Sequence, residues 1–362
     1  MHKFNHPDAI NGRGSTANRT PTRFNLLSRT IDDDWRDEHV LIDGETPRLR
    51  TSVIEEHPKS IVTFNTSPDL PFDRSINAYR GCEHGCIYCY ARPSHAFHDL
   101  SPGLDFESRL FAKPDAANLL RKTLSKAGYK PAPIAIGTNT DPYQPIERTY
   151  RITQQILEVM VETRHPIVIT TKSAKVTEDI ALLANLAKDD LTGVALSITT
   201  LDAKLARLLE PRASTPMKRL EAVRELANAG IYVHVNIAPI IPAITDHEIE
   251  SIVETAAEYG ARSISWIPIR LPHEVAPLFR DWLDLHFPER ADKVMNIIRE
   301  LRGGKDNDPA FFSRMRGTGA WAALILTRVR IAKAKHALNN SKWNVRSDLF
   351  VPPADDRQLS LF

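Results

Sequence analysis

Six short apolar or β-branched runs, each followed by a stretch with helical spacing, limit what this chain can fold into more than any other feature. They are SINAYRG, PIAIGTN, PIVITTK, GVALSIT, IYVHVNIAPI and SISWIPIR, spread between residues 75 and 270. The runs are mostly continuous rather than alternating, as expected for strands buried on both faces of a parallel sheet. In the intervening segments Ile156, Leu157, Met160 and Val161 share one helical face, as do Ile249, Ile252, Val253 and Ala256. Gly230 and Gly260 mark helix ends. Six strand–helix units with right-handed crossovers predict an α/β fold, most simply a parallel barrel or partial barrel. Chemistry in such folds sits on loops after the C-terminal ends of the strands.

A chain of 362 residues accommodates one large α/β domain with appendages, or two ordinary domains. With 42% hydrophobic and 25% charged residues and a net charge of +2, it has ordinary globular composition and no global field for nucleic acid or membrane. No run approaches the ~18 apolar residues of a membrane span. The first twenty residues lack an apolar leader, so a cytoplasmic protein is expected. Residues 1–50 read as a disordered polar arm, 51–272 as the α/β core, 273–346 as a helical C-terminal extension and 347–362 as a flexible tail.

All three cysteines fall within RGCEHGCIYCYARP, as Cys82, Cys86 and Cys89. Three are too few for a disulfide framework, and clustered thiols in a reducing compartment point to metal or catalysis. The spacing is C-x3-C-x2-C. Three thiolates can hold three irons of a [4Fe–4S] cluster and leave the fourth iron open to an outside ligand. Gly81 and Gly85 suit a loop that must bend sharply around a cofactor. The rival reading is a structural zinc on Cys82, His84, Cys86 and Cys89. That set is chemically allowed, but structural zinc usually draws ligand pairs from separated segments.

The stretches NAYRGCEHGCIYCYARPSHAF and TDPYQPIE resemble the radical SAM superfamily, and within it the spore photoproduct lyase-like branch often called DNA repair photolyase. The resemblance runs over roughly residues 55–272. It implies a partial (β/α)6 barrel, a [4Fe–4S] cluster and S-adenosylmethionine (SAM), whose reductive cleavage yields a 5′-deoxyadenosyl radical. It also implies an electron donor such as flavodoxin or ferredoxin. By the same resemblance Thr140 and Asp141, Lys172, Ser197, Arg212 and the aromatic Tyr88 are candidate SAM contacts, with Glu210 and Arg212 either pairing with each other or helping to hold SAM. The APIIP stretch is expected beside the adenine. Authentic spore photoproduct lyase has a hydrogen-donating cysteine where Thr138 stands here, and Tyr90 matches a tyrosine of its radical relay. With no spare thiol, Tyr90 is the candidate catalytic residue. DNA lesions or nucleic acid bases are the leading substrates; RNA, protein or a small molecule, or a non-catalytic zinc-stabilised adaptor, are alternatives.

Gln358, Leu359, Ser360, Leu361 and Phe362 resemble the bacterial sliding-clamp-binding pentapeptide, an extended ligand with apolar anchors. Residues 309–347 contain no Asp or Glu but eight Arg or Lys, including Arg314, Arg328, Arg330 and Lys333. They form either a phosphate-facing surface or a solvated helix face.

Overall fold

The six apolar runs do form strands, and five helices fill the gaps between them and flank the sheet. The computed structural model describes residues 12–19, 49–338 and 344–353. Its strands are β1 (Ser52–Glu55), β2 (Val62–Phe64), β3 (Arg74–Ile76), β4 (Tyr79–Arg80), β5 (Arg109–Ala112), β6 (Ile134–Ile136), β7 (Ile167–Thr171), β8 (Thr192–Ser197), β9 (Tyr232–Ile240) and β10 (Ser263–Pro268). Its longer helices are α1 (Ala116–Leu124), α2 (Ile152–Thr163), α3 (Ile180–Ala187), α4 (Pro216–Asn228), α5 (Ile249–Glu258), α6 (Val275–His286), α7 (Ala291–Leu301) and α8 (Gly319–Lys335).

The main sheet has the order β10-β9-β8-β7-β6-β3-β2. Its first six strands pair in parallel, and β2 adds an antiparallel edge to β3. This is an open α/β sheet of the partial-barrel kind. Every residue of β8 is buried, and along β7 Ile167 and Ile169 are fully buried while Val168 and Thr170 are partly so. Burial on both faces explains why these runs read as continuous. Ile156, Leu157 and Met160 of α2 and Ile249, Ile252, Val253 and Ala256 of α5 all enter the core.

The C-terminal helices extend that core in two directions. Helices α6 and α7 enclose Phe279, Trp282, Val294 and Ile298 in a second apolar cluster that also holds Cys86, Ile87 and Tyr88. Helix α8 lies on α5 and buries Ile325, Val329 and Ala332 against the main core.

Two features were not visible in the sequence pattern. SINAYRG carries two strands. After β3 the chain turns aside at Asn77–Ala78, and β4 pairs antiparallel with β5, which pairs in parallel with β1. The cysteine loop therefore departs from this small side sheet. Strands of two to four residues are too short to show a period, so neither pairing could be read from spacing.

The second feature is a correction. Residues 12–19, expected within a disordered arm, lie docked on the core. The Arg13 guanidinium donates to the carbonyls of Glu107, at 2.5 Å, and Leu49, at 2.7 Å. The Gly14 and Ser15 amides donate to the two carboxylate oxygens of Glu107 at 2.9 and 2.8 Å. Polar composition misleads here because the anchoring is by hydrogen bonds to one buried carboxylate rather than by apolar burial. Removing residues 1–19 leaves that carboxylate short of two donors. Unfolding free energy, read by urea titration, should fall by about 1–3 kcal/mol; an unchanged midpoint would show that the docked segment contributes nothing.

Candidate active site

The cysteine loop is held by its backbone. The Cys82 amide donates to the Phe106 carbonyl at 2.9 Å, Gly85 N–H to Cys82 at 3.3 Å, and Cys89 N–H to Cys86 at 3.2 Å. The loop's glycines are required by both conformation and space. Gly81 has φ 72° and Gly85 φ 67°, and a Cβ at Gly85 would lie 2.8 Å from a Glu107 carboxylate oxygen. The docked N-terminal segment covers the same turn, where a Cβ at Gly14 would overlap the Gly85 carbonyl oxygen at 1.9 Å.

Beneath the loop lies Arg92, fully buried. Its Nε donates to the Cys86 carbonyl at 2.9 Å, Nη1 to Pro102 and Gly103 at 3.0 Å each, and Nη2 to Gly85 at 3.1 Å and to Glu107 at 2.5 Å. One guanidinium thus uses its five donors to fix the turn that carries Cys86.

The TDPYQPIE segment after β6 fixes the other end of the loop. The Thr140 hydroxyl donates to the Gly81 carbonyl at 2.5 Å, and the Gln144 amide group bonds Gly81 O at 3.3 Å and accepts from the Glu83 amide at 2.9 Å. Asp141 accepts from the Thr171 hydroxyl at 2.7 Å, the Lys172 amide at 2.8 Å and the Tyr143 amide at 2.9 Å, and lies 3.3 Å from His84 Nδ1. Burial alone would raise this carboxyl, but the His84 ring and these donors bring it down to about 2. Thr140 and Asp141, candidate SAM contacts, are here engaged in bracing the cysteine loop and the β7 end.

A second buried network stands on the far side. Glu210 receives the Tyr88 hydroxyl, the Thr199 hydroxyl at 2.7 Å and the Arg219 guanidinium. Arg219 also donates to the carbonyls of Ser197 and Ser214 at 2.8 Å each. Burial would raise the Glu210 carboxyl, yet Arg219 and Lys172 hold it at about 2. Glu210 and Arg212 do not pair with each other, since Arg212 bridges to Glu83 at 3.1 Å. Ser197 is buried at the end of β8, and the Lys172 ammonium sits 5.8 Å from the Tyr88 ring centroid.

Cys82, Cys86 and Cys89 are free thiols, the first two buried and the third half-buried. Cys89 packs against two apolar clusters, one containing Cys82 and the other Cys86. Burial pushes all three thiols up; Lys172 draws Cys86 and Cys89 back, and Arg92 draws Cys89 back. Burial thus keeps the free thiols protonated, so a metal that takes them as thiolates must displace their protons, with Lys172 and Arg92 partly offsetting the charge that forms. Among the described residues no three His, Cys, Asp or Glu side chains are grouped to hold a single ion, and His84 is directed to Asp141. Three thiols without a fourth protein ligand fit an iron–sulfur cluster with an open iron better than tetrahedral zinc.

Tyr90 is half-exposed. Its hydroxyl donates to the carbonyl of Thr138, the position where a hydrogen-donor cysteine was sought, and Arg270 lies 5.7 Å from its ring centroid. Candidate residues from four strand ends, β6, β7, β8 and the segment after β4, thus meet around the cysteine loop. Sequence reasoning missed Arg92, Glu107, Gln144, Arg219 and Arg270; Glu107 and Gln144 act through partners distant in the chain, and Arg92 and Arg219 through partners within about twenty residues that share no spacing pattern. The basic C-terminal stretch is largely paired internally. Arg328 bridges Glu250, Lys335 lies 3.7 Å from Glu254, Arg314 bridges Asp69, and Lys333 donates to the Ile264 carbonyl at 2.9 Å. The pentapeptide Gln358–Phe362 lies outside the described residues.

The two low-pKa carboxylates set the acid limit of the site. Each is depressed in the folded protein, so its contribution is fully present above the unfolded value of about 4 and is lost as pH falls toward 2. Asp141→Asn should flatten the decline of unfolding free energy between pH 5 and 2. Arg219→Met strands Glu210 and should cost about 3–5 kcal/mol by urea titration, whereas Arg219→Met with Glu210→Leu should recover most of that loss.

Residues 76–256 match the radical SAM superfamily. An uncharacterized protein of Mycobacterium tuberculosis is 33% identical over 232 residues, 64% of this chain and 68% of that protein. A protein of Pseudomonas phage M6 named radical SAM Nalpha-GlyT isomerase is 25% identical over 225 residues, 62% of this chain and 45% of that protein. A tyrosine-to-phenylalanine variant of spore photoproduct lyase superposes with a TM-score of 0.56 at 16% identity, covering 79% of this chain and 80% of that one, a likeness of fold. With an open parallel sheet, a three-cysteine loop at the strand ends and these matches, the chain belongs to the radical SAM superfamily of enzymes.

Proposed function

We propose that this radical SAM enzyme holds a [4Fe–4S] cluster on Cys82, Cys86 and Cys89 and acts on DNA lesions or nucleic acid bases. The observation that carries the reading is that all three thiols of the chain are free and lie on one braced loop, with Cys86 and Cys89 in the field of Lys172. The bound cluster and SAM supply one-electron cleavage of the sulfonium and a 5′-deoxyadenosyl radical that abstracts substrate hydrogen.

The chain's own residues do the rest. Lys172 offers a point charge for the SAM carboxylate. Tyr88, fixed by Glu210 and Thr199, presents a rigid aromatic wall next to Cys89. Ser197 and Arg212 complete the proposed SAM contacts. Thr140 and Asp141 serve it indirectly by fixing the cysteine loop and the backbone at Lys172. Tyr90, with its hydroxyl held on Thr138, is placed to return a hydrogen atom in place of the missing cysteine. An electron donor such as flavodoxin or ferredoxin would reduce the cluster. The tail Gln358–Phe362 would tether the enzyme to a sliding clamp, a reading that rests on its sequence alone.

Anaerobic reconstitution should give about four irons per chain, by, and zinc alone at the site would exclude radical chemistry. With reductant and SAM, 5′-deoxyadenosine should form and damaged DNA should stimulate its formation; Cys86→Ala should abolish it. Deleting Gln358–Phe362 should remove affinity for a sliding clamp, measured by surface plasmon resonance, and retained affinity would reject the tether.

A further inference from the structure

Arg270, just past β10, is a guanidinium with no ion-pair partner among the described residues. Its Nε is buried with no hydrogen-bond partner, and its Nη1 meets the Met315 sulfur at 3.5 Å, a weak acceptor. Among the described residues no carboxylate forms an ion pair with it. Two further guanidiniums crowd it. Arg302 is buried, gives its Nη donors to the carbonyls of Pro268, Ile269, Ser313 and Arg314 at 2.8–3.3 Å, and leaves its own Nε unpartnered. Arg314 is neutralised by Asp69. Arg302 thereby ties the strand end carrying Arg270 to the segment carrying Arg314. Burial and the neighbouring Arg314 press the Arg270 pKa down, more than the nearby Tyr90 and Asp69 raise it.

The surroundings identify the anion. Arg270 lies over the half-exposed Tyr90 ring, immediately after Cys89. On the segment that Arg302 ties to this strand end, Phe311 and Phe312 are 52% and 65% exposed, with Arg314 4.7 Å from the Phe311 ring centroid. Exposed rings beside a guanidinium with no ion-pair partner are the elements that bind unpaired strands, the rings stacking on bases and the cation taking the phosphate. An acidic peptide would use the charge but leave the rings idle.

We propose that Arg270, positioned by Arg302, lying over Tyr90 and tied through Arg302 to the segment that carries the exposed rings of Phe311 and Phe312, is the subsite for a backbone phosphate of a single-stranded or base-unpaired nucleic acid beside the cysteine loop. This deepens the proposed function and rests on it for the substrate class. The site predicts a bidentate contact, so lysine cannot fully replace the arginine.

The test is fluorescence anisotropy on the full-length, anaerobically reconstituted protein without SAM, using a labelled single-stranded oligodeoxynucleotide. Arg270→Gln should weaken binding about tenfold or more and reduce the salt slope by about one. Arg270→Lys should fall between. Phe311→Ala with Phe312→Ala should weaken the oligonucleotide but not a base-free abasic strand. Unchanged affinity in Arg270→Gln, with the fold verified by circular dichroism, overturns the subsite. Equal competition by a polyglutamate peptide overturns the nucleic-acid assignment. Because binding is read without turnover, the two proposals fail separately. Absence of 5′-deoxyadenosine with Arg270-dependent binding rejects only the radical reaction, and the reverse result rejects only the subsite.

Discussion

The buried ion pair between Arg92 and Glu107 is the constraint on which the site depends. Neither side chain reaches solvent. Taking two charges out of water is costly, and the cost is offset only when their remaining donors and lone pairs are satisfied. Here they are. Arg92 spends its other donors on the carbonyls of Gly85, Cys86, Pro102 and Gly103, and Glu107 accepts the Gly14 and Ser15 amides. One pair thus joins the cysteine turn, the segment leading to β5 and the N-terminal strap. Loss of either partner would leave an uncompensated charge beneath the thiols.

The second network works in a similar way on the opposite wall. Glu210 binds Tyr88, Thr199 and Arg219, while Arg219 holds the end of β8 through Ser197. Gln144 and Thr140 hold the start of the loop through Gly81. A loop this closely braced fixes the backbone that carries the three cysteines, and such preorganisation lowers the ordering cost of any binding there. On another side of the loop, half-exposed Tyr90 holds its hydroxyl on the Thr138 carbonyl beneath Arg270, whose buried Nε has no hydrogen-bond partner.

Much of this was legible in the chain. The six apolar runs mark six strands because burial on both faces of a parallel sheet demands continuous hydrophobicity. The cysteine spacing marks a single loop as the candidate metal site because ligands drawn from one turn must be close in sequence. Asp141 was legible as a motif residue but not in its role, since its partners His84, Thr171 and Lys172 come from two other segments. The strap at 12–19 and the short strands β1, β2, β4 and β5 gave no periodic signal. Glu210 and Arg212 looked like partners by proximity, yet each turns to a residue elsewhere.

By itself the sequence determined the α/β class, the strand order of chemistry along the chain and the three thiols that define the centre. Those properties are local, written in periodicity and spacing. The tertiary structure decided which charges pair, which are stranded and what braces the loop. Arg92 and Arg219 are closed into full hydrogen-bond shells, whereas Arg270 is buried with a donor unspent. No local pattern distinguishes these three arginines. Burial and the partners that folding brings within reach do so, because a guanidinium's cost or use depends on the groups around it.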